Sequence, residues 1–145
     1  MEVKRGPILF RCDGTPELGF EPFYQCLSLA AAMQRRRRGT HFLTYLEPLS
    51  LAQTIVRGNN EWIPAESTLG GVGDLERTLR EVRRLNASAV VLGGTGFTPE
   101  YVEAISKTGT QVVVLDPVAA EPTPADIVVN PFLAPGRKAF RVEQS

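Results

Sequence analysis

Short apolar runs rich in β-branched and aromatic residues alternate along this chain with amphipathic stretches of helical period, the pattern of repeated βαβ units. Ile8–Cys12 predicts a first strand. Phe23, Cys26, Leu27, Ala30 and Met33 then recur at helical spacing and predict a helix from Pro22 to Arg38. Pro22 suits the first turn, where no N–H is needed, and Gly39 suits a left-handed stop. His41–Leu46 predicts the second strand, a helix follows from Pro48 to Gly58, and Glu61–Pro64 predicts the third strand. The turn Gly70-Gly71-Val72-Gly73 leads into a helix over Asp74–Leu85, with Leu75, Leu79, Val82 and Leu85 as its apolar stripe. Glu76 and Arg80 lie four apart on its exposed face, and Asp74 and Glu76 suit the positive helix start.

Ala89–Leu92 reads as a strand buried on both faces. Thr98 is placed to cap a helix carrying Pro99 in its first turn and ended by Gly109. Gln111–Leu115 and Asp126–Asn130 predict the last strands, and no periodicity follows Phe132. The expectation is one three-layer α/β domain, Rossmann-like, on a mainly parallel sheet over residues 1–132, with 133–145 as a tail or linker. Such sheets bind ligands beyond the carboxyl ends of their strands. The loops to inspect are therefore Arg11–Pro22, Leu46–Pro48, Ala65–Gly73, Gly93–Thr98 and Asp116–Pro124.

At 145 residues the chain has the size of one domain. Sixteen Lys and Arg balance sixteen Asp and Glu, so no global field favours nucleic acid or an anionic membrane. No apolar stretch approaches the roughly 20 residues that span a bilayer, and residues 1–7 do not read as a secretion signal. Cys12 and Cys26 form neither a disulfide framework nor a metal motif. A cytoplasmic protein with free thiols and no metal or cofactor is the expectation.

Candidate chemistry concentrates in the glycine-containing loops. Arg11 and Asp13 fall at the ligand edge, where an arginine suits a phosphate or carboxylate; the same two residues also suit a mutual ion pair that stiffens the loop. Gly93-Gly94-Thr95-Gly96, between a strand and a helix, suits either close backbone approach to an anion or a plain tight turn. It lacks the lysine of a P-loop and the six-residue dinucleotide fingerprint. Asp74 would repel a phosphate at Gly70–Gly73. Arg35–Arg38 reads as a solvated helix end that complements the dipole. Cys12 reads as a small strand-end apolar residue, and His41, the single histidine, as a strand residue in packing.

Arg11-Cys12-Asp13-Gly14-Thr15-Pro16-Glu17-Leu18-Gly19, followed by Cys26-Leu27-Ser28-Leu29-Ala30, resembles the opening of the UDP-2,4-diacetamido-2,4,6-trideoxy-β-L-altropyranose hydrolases (the PseG family of pseudaminic acid biosynthesis). That opening reads R-x-D-x-x-x-x-I-G-x-G-H-x-x-R-C-L-x-L-A and aligns here without a gap. Asp74–Leu79, Leu115-Asp116-Pro117-Val118-Ala119 and Ala125–Asn130 are similar to later segments of the family. The resemblance implies the N-terminal half of a GT-B fold, with a separate C-terminal domain supplying most contacts to uridine diphosphate. It implies Arg11, Asp13, Gly19 and Asp116 as cleft residues. The family's catalytic histidine position holds Pro22, its following arginine position Gln25, and its D-x-Y motif reads Gly93-Gly94-Thr95.

A pyrrolidine ring takes no proton from water. The leading expectation is thus a degenerate nucleotide-sugar hydrolase-like domain that binds a sugar or nucleotide-sugar without hydrolysis, through Arg11, Asp13, Gly19, Gly94 and Asp116. The alternative is an active UDP-sugar hydrolase or glycosyltransferase half-domain that needs a partner domain, with Asp13 or Glu21 as the catalytic base. A third possibility is a protein-interaction scaffold with a partner or a homo-oligomer.

Overall fold

The computed structural model describes residues 6–115, 127–129 and 140–141. Among the described residues seven strands form one sheet in the order β3-β2-β1-β4-β5-β6-β7. They are β1 (Ile8–Gly14), β2 (Thr40–Leu46), β3 (Glu61–Pro64), β4 (Ala89–Gly93), β5 (Gln111–Leu115), β6 (Ile127–Val129) and β7 (Phe140–Arg141). The neighbours from β3 to β6 pair in parallel, and β7 pairs antiparallel with β6. The four α-helices described are α1 (Glu21–Arg35), α2 (Ala52–Arg57), α3 (Asp74–Leu85) and α4 (Pro99–Ser106), and a 3-10 turn at Leu49–Leu51 leads into α2. This is the expected Rossmann-like α/β architecture. The last strand, Phe140–Arg141, falls in the stretch read from sequence as a tail.

Alternation along each strand sends successive side chains to opposite faces, and each face is closed by its own pair of helices. On one side Phe10, Cys12, Phe42 and Val91 pack with Phe23, Cys26 and Ala30 of α1 and Ile55 of α2. The Phe10 and Phe42 rings stack with centroids 4.8 Å apart. On the other side Leu9, Leu43, Val90, Leu92 and Val112 pack with Val82 of α3 and Tyr101, Val102 and Ile105 of α4. The chain runs β1, β2, β3 outward to one edge, then crosses to β4 on the other side of β1. The gap between β1 and β4 is therefore the topological switch point, where the loops leaving the two strands diverge.

Two details differ from the pattern reading. Helix α1 ends at Arg35, three residues early, and Gly39 is not its stop. Arg37 takes the left-handed conformation instead, at φ 60°, with its N–H donating to Gln34 O and that of Arg38 to Met33 O. That bond pair is a Schellman close, so the helix stops where the backbone completes it rather than at the nearest glycine. In α3 the fully buried positions are Asp74, Thr78, Glu81 and Val82, while Leu75, Leu79 and Leu85 are only half-buried against the core. Asp74 and Thr78 turn inward onto the buried partners Arg11 and Tyr101, whereas Glu81 pairs with Arg77 and Arg84 of its own helix.

Candidate functional site

Arg11 enters the structure as an alternating residue of a buried strand, and its side chain points to the α3 face with 0% exposure. A guanidinium in that position is tolerable only when its donors are bonded. Its Nε donates to Asp74 Oδ1 at 2.7 Å, and its Nη1 to Asp13 Oδ1 at 2.5 Å. Nη2 donates to the Ser67 carbonyl at 2.8 Å, and Nη1 also lies 3.3 Å from the Leu43 carbonyl. Burial by itself lowers the Arg11 pKa, but the charges of Asp13 and Asp74 and their hydrogen bonds outweigh it, and the net shift is upward. The guanidinium is held charged and faces no open cavity.

Both carboxylates reach onward. Asp13 Oδ1 accepts the Tyr45 N–H at 2.9 Å, and its Oδ2 accepts the Leu69 N–H at 2.6 Å. Asp74 Oδ2 accepts the Gly70 N–H at 2.9 Å and the Tyr101 hydroxyl at 2.7 Å. Thr78 Oγ1 lies 2.9 Å from that hydroxyl. Burial, then the adjacent Asp74, pushes the Tyr101 pKa upward, so the phenol stays protonated as the donor. The network ties the β3–α3 loop across the end of β1. The carboxylate of Asp74 also occupies the Gly70 amide that the glycine turn would otherwise offer to a ligand.

Backbone contact completes the attachment of that loop. A Cβ on Gly70 would lie 1.6 Å from Gly96 O, and one on Gly96 would lie 2.2 Å from Leu69 O. The two glycine turns are thus pressed together, main chain on main chain, and a side chain at either position would force them apart. Gly70 also has φ 83°.

Beside this junction, a cavity of 320 Å³ opens at the carboxyl ends of β1 and β4. Asp13, Gly19, Glu21, Pro22, Thr68 and Gly94 are among its walls. Gly19 (φ 87°) closes a turn in which its N–H donates to Thr15 O at 2.8 Å, and Gly94 has φ 122°. Asp13 presents an edge to the cavity, while its carboxylate bonds Arg11 and the Tyr45 and Leu69 amides. Glu21, the first residue of α1, is exposed. Pro22 borders the space without filling it. The cavity floor is Gly93, over which an added Cβ would meet Cys26 Sγ at 2.8 Å and Cys12 Cβ at 3.3 Å. Both cysteines are free and fully buried. Burial, then a hydrogen bond with Cys26, pushes the Cys12 thiol well up.

The structure sorts the residues singled out in the sequence. Asp13, Gly19, Glu21 and Gly94 meet at one cavity. Arg11 does not: it lies behind Asp13, in the pairing that stiffens the loop. Asp116 lies outside the described residues. His41, near the start of β2, sits at the opposite edge of the sheet, roughly 17 Å along the strand from the cavity end. Burial lowers its pKa, with Glu61 opposing and Arg84 reinforcing the shift. Among the described residues no cluster of three His, Cys, Asp or Glu is arranged for a metal ion. None of the helices described is long and apolar enough to cross a membrane.

Sequence reasoning missed Asp74 and Ser67 as partners of Arg11 and Tyr101 as a partner of Asp74, while the cavity walls Leu18, Thr68, Thr95 and Gly96 fall within the loops marked for inspection. The spacing of Asp74 and Thr78 on one helical face was the available signal, since two polar side chains beside an apolar stripe need a buried cation or donor.

The fold and this cavity define a Rossmann-like α/β protein with its crevice at the topological switch point. No known protein family matches the chain, and no curated protein matches it.

Proposed function

We propose that the chain is a sugar- or nucleotide-sugar-binding domain that does not hydrolyse its ligand, built like one half of a GT-B enzyme and derived from a UDP-sugar hydrolase of the kind its first strand and helix resemble. The observation that carries this reading is a crevice at the switch point with no imidazole in reach. The protein has a single histidine, and it lies at the far edge of the sheet. The position that resembles the family's catalytic histidine is Pro22, at the cavity wall. The exposed carboxylate of Glu21 and two glycine turns border the space, which suits holding a polyol better than activating water.

Asp13 is a poor base in this setting because Arg11, Tyr45 and Leu69 already bond its oxygens. The exposed carboxylate of Glu21 favours a second reading, an active half-domain in which Glu21 takes the proton when a partner domain closes the crevice. Titration of the full 145-residue chain with UDP-N-acetylhexosamines, followed by amide NMR and an assay for released UDP, separates the readings. The expected result is perturbation of resonances around Gly19 and Gly94 without UDP release. Turnover abolished by Glu21→Gln would establish the enzyme instead. Silence toward every sugar and sugar nucleotide, with a stable protein partner, would establish a scaffold.

A further inference from the structure

The chain carries no net charge, but its charges are sorted by position. Helix α1 starts at the crevice with Glu21 and ends at Arg35, about 22 Å away at the rise of an α-helix. Arg35, Arg36 and Arg37 are exposed in succession at that end. Arg57, in the last turn of α2, is exposed as well. Gln34 ties the two helix ends together, its Nε2 donating to Gly58 O and to Asn60 Oδ1, each at 2.9 Å. Arg38 anchors the turn from its other side, with Nη2 donating to Gly6 O at 3.3 Å and to Ser88 Oγ. Four exposed arginines therefore stand at one corner of the fold, on a turn fixed by hydrogen bonds.

Among the described residues none of the four forms an ion pair, and the placement of the acids is the reason. The carboxylates of the described residues lie at the carboxyl ends of the strands, in the loops there and in the first helical turns, apart from three. Glu81 and Glu103 hold Arg84 at 2.7 Å and Lys107 at 3.4 Å. Glu61 alternates with Trp62 to the α3 face, beside His41. Outside the described residues, the sequence before β1 holds Glu2 with Lys4 and Arg5, and the other acids flank β5, β6 and β7, which lie two to four strands from β1.

The helix dipole accounts for Arg35 and Arg57, which occupy last turns. It does not account for Arg36 and Arg37, which lie beyond the end of α1. Arg37 has φ 60°, a left-handed position at a helix end where glycine is favoured and a side chain is strained. A cation stands there at a cost to the backbone.

We infer that this corner binds the phosphodiester backbone of a nucleic acid without reading its bases. The guanidinium fork matches phosphate oxygens, and neutralising backbone phosphates releases their condensed counterions. Exposed pairs with the carboxylates of a protein partner contribute little against the cost of association. A bilayer surface is met by apolar side chains as well as cations. Of the large apolar side chains exposed among the described residues, only Val56 adjoins this corner. The carboxylates at the far end of the strands repel the same polyanion, so they fix which end meets it. The crevice and its ligand play no part in this inference.

The test is fluorescence anisotropy of the full chain with a labelled oligouridylate and a labelled duplex DNA over a salt series, beside flotation with phosphatidylserine-containing vesicles. Binding is expected to weaken with salt, with a slope of log affinity against log salt of about −2 to −4, as for roughly three or four neutralised phosphates. Whichever polymer binds more tightly identifies the source of the backbone, and either supports the inference. Arg35→Gln combined with Arg36→Gln is expected to weaken binding and to reduce the slope by about 2. Arg37→Gly is expected to reduce the slope by about 1 while the melting temperature holds or rises, which separates a lost contact from a lost fold. Arg80→Gln removes the same charge from an exposed residue of α3 at a separate hollow and is expected to leave binding unchanged. Absence of salt-dependent binding to both nucleic acids would overturn the inference. So would an equal loss in Arg80→Gln, which would reduce the effect to overall charge, and so would capture by the vesicles in preference to both polymers.

Discussion

Two sets of charged residues sit side by side at the same edge of the sheet and behave in opposite ways. Arg11, Asp13 and Asp74 spend their hydrogen-bonding capacity on one another and on backbone groups, and they are buried. Glu21, one turn of chain away across the cavity, is exposed, and no hydrogen bond or ion pair is formed by its carboxylate among the described residues. A charged side chain near a ligand edge is therefore not evidence of a ligand contact. What matters is whether its partners have already been supplied by the fold. In this protein the inner set positions the wall, and the outer carboxylate faces what enters.

The contrast is sharpest for Arg11→Met. Removing the cation leaves two buried carboxylates facing each other, which should cost about 3–5 kcal/mol and shift the urea midpoint strongly downward. A loss below 1 kcal/mol would mean the network is not the anchor described above. Gly96→Ala attacks the same attachment through the backbone. Its Cβ would fall 2.2 Å from Leu69 O, and a cost of about 1–3 kcal/mol is expected, with faster amide exchange at Leu69 and Gly70.

Tyr101→Phe removes one donor to Asp74 and should cost about 1 kcal/mol by chemical denaturation. It also carries a pH signature. The folded-state pKa of Tyr101 is raised above the ordinary 10.0, so its contribution is complete below pH 10 and is lost as the pH rises beyond it, when the unfolded chain ionises first. The alkaline limb of the stability profile should be shallower in Tyr101→Phe, and an unchanged limb would remove Tyr101 from the network. Smallest of all is Glu21→Gln, expected within about 0.5 kcal/mol of the parent because the side chain is exposed. A large loss there would erase the distinction between the two sets.

Much of the framework was legible without coordinates. Glu61–Pro64 and Asp74–Leu85 lie where hydrophobic period and glycine punctuation put them, and α2 ends before Gly58 as expected. The errors have local causes. Gly39 was a plausible stop for α1, but a Schellman close at Arg37 satisfied the last carbonyls sooner. The apolar stripe of α3 does pack on the core, but nothing in a linear pattern shows that Asp74 beside it has a buried arginine 63 positions earlier in the chain.

The sequence by itself determined the alternation of strands and helices and the parallel sheet that follows from it. These depend on composition and on neighbours a few residues apart. Only the tertiary structure decided that Arg11 is sealed away while Glu21 stays open, and that Gly70 and Gly96 are needed for each other. Hydrogen bonds and steric contacts act over a few ångströms in space, so their partners are set by how distant segments meet, which no local period records.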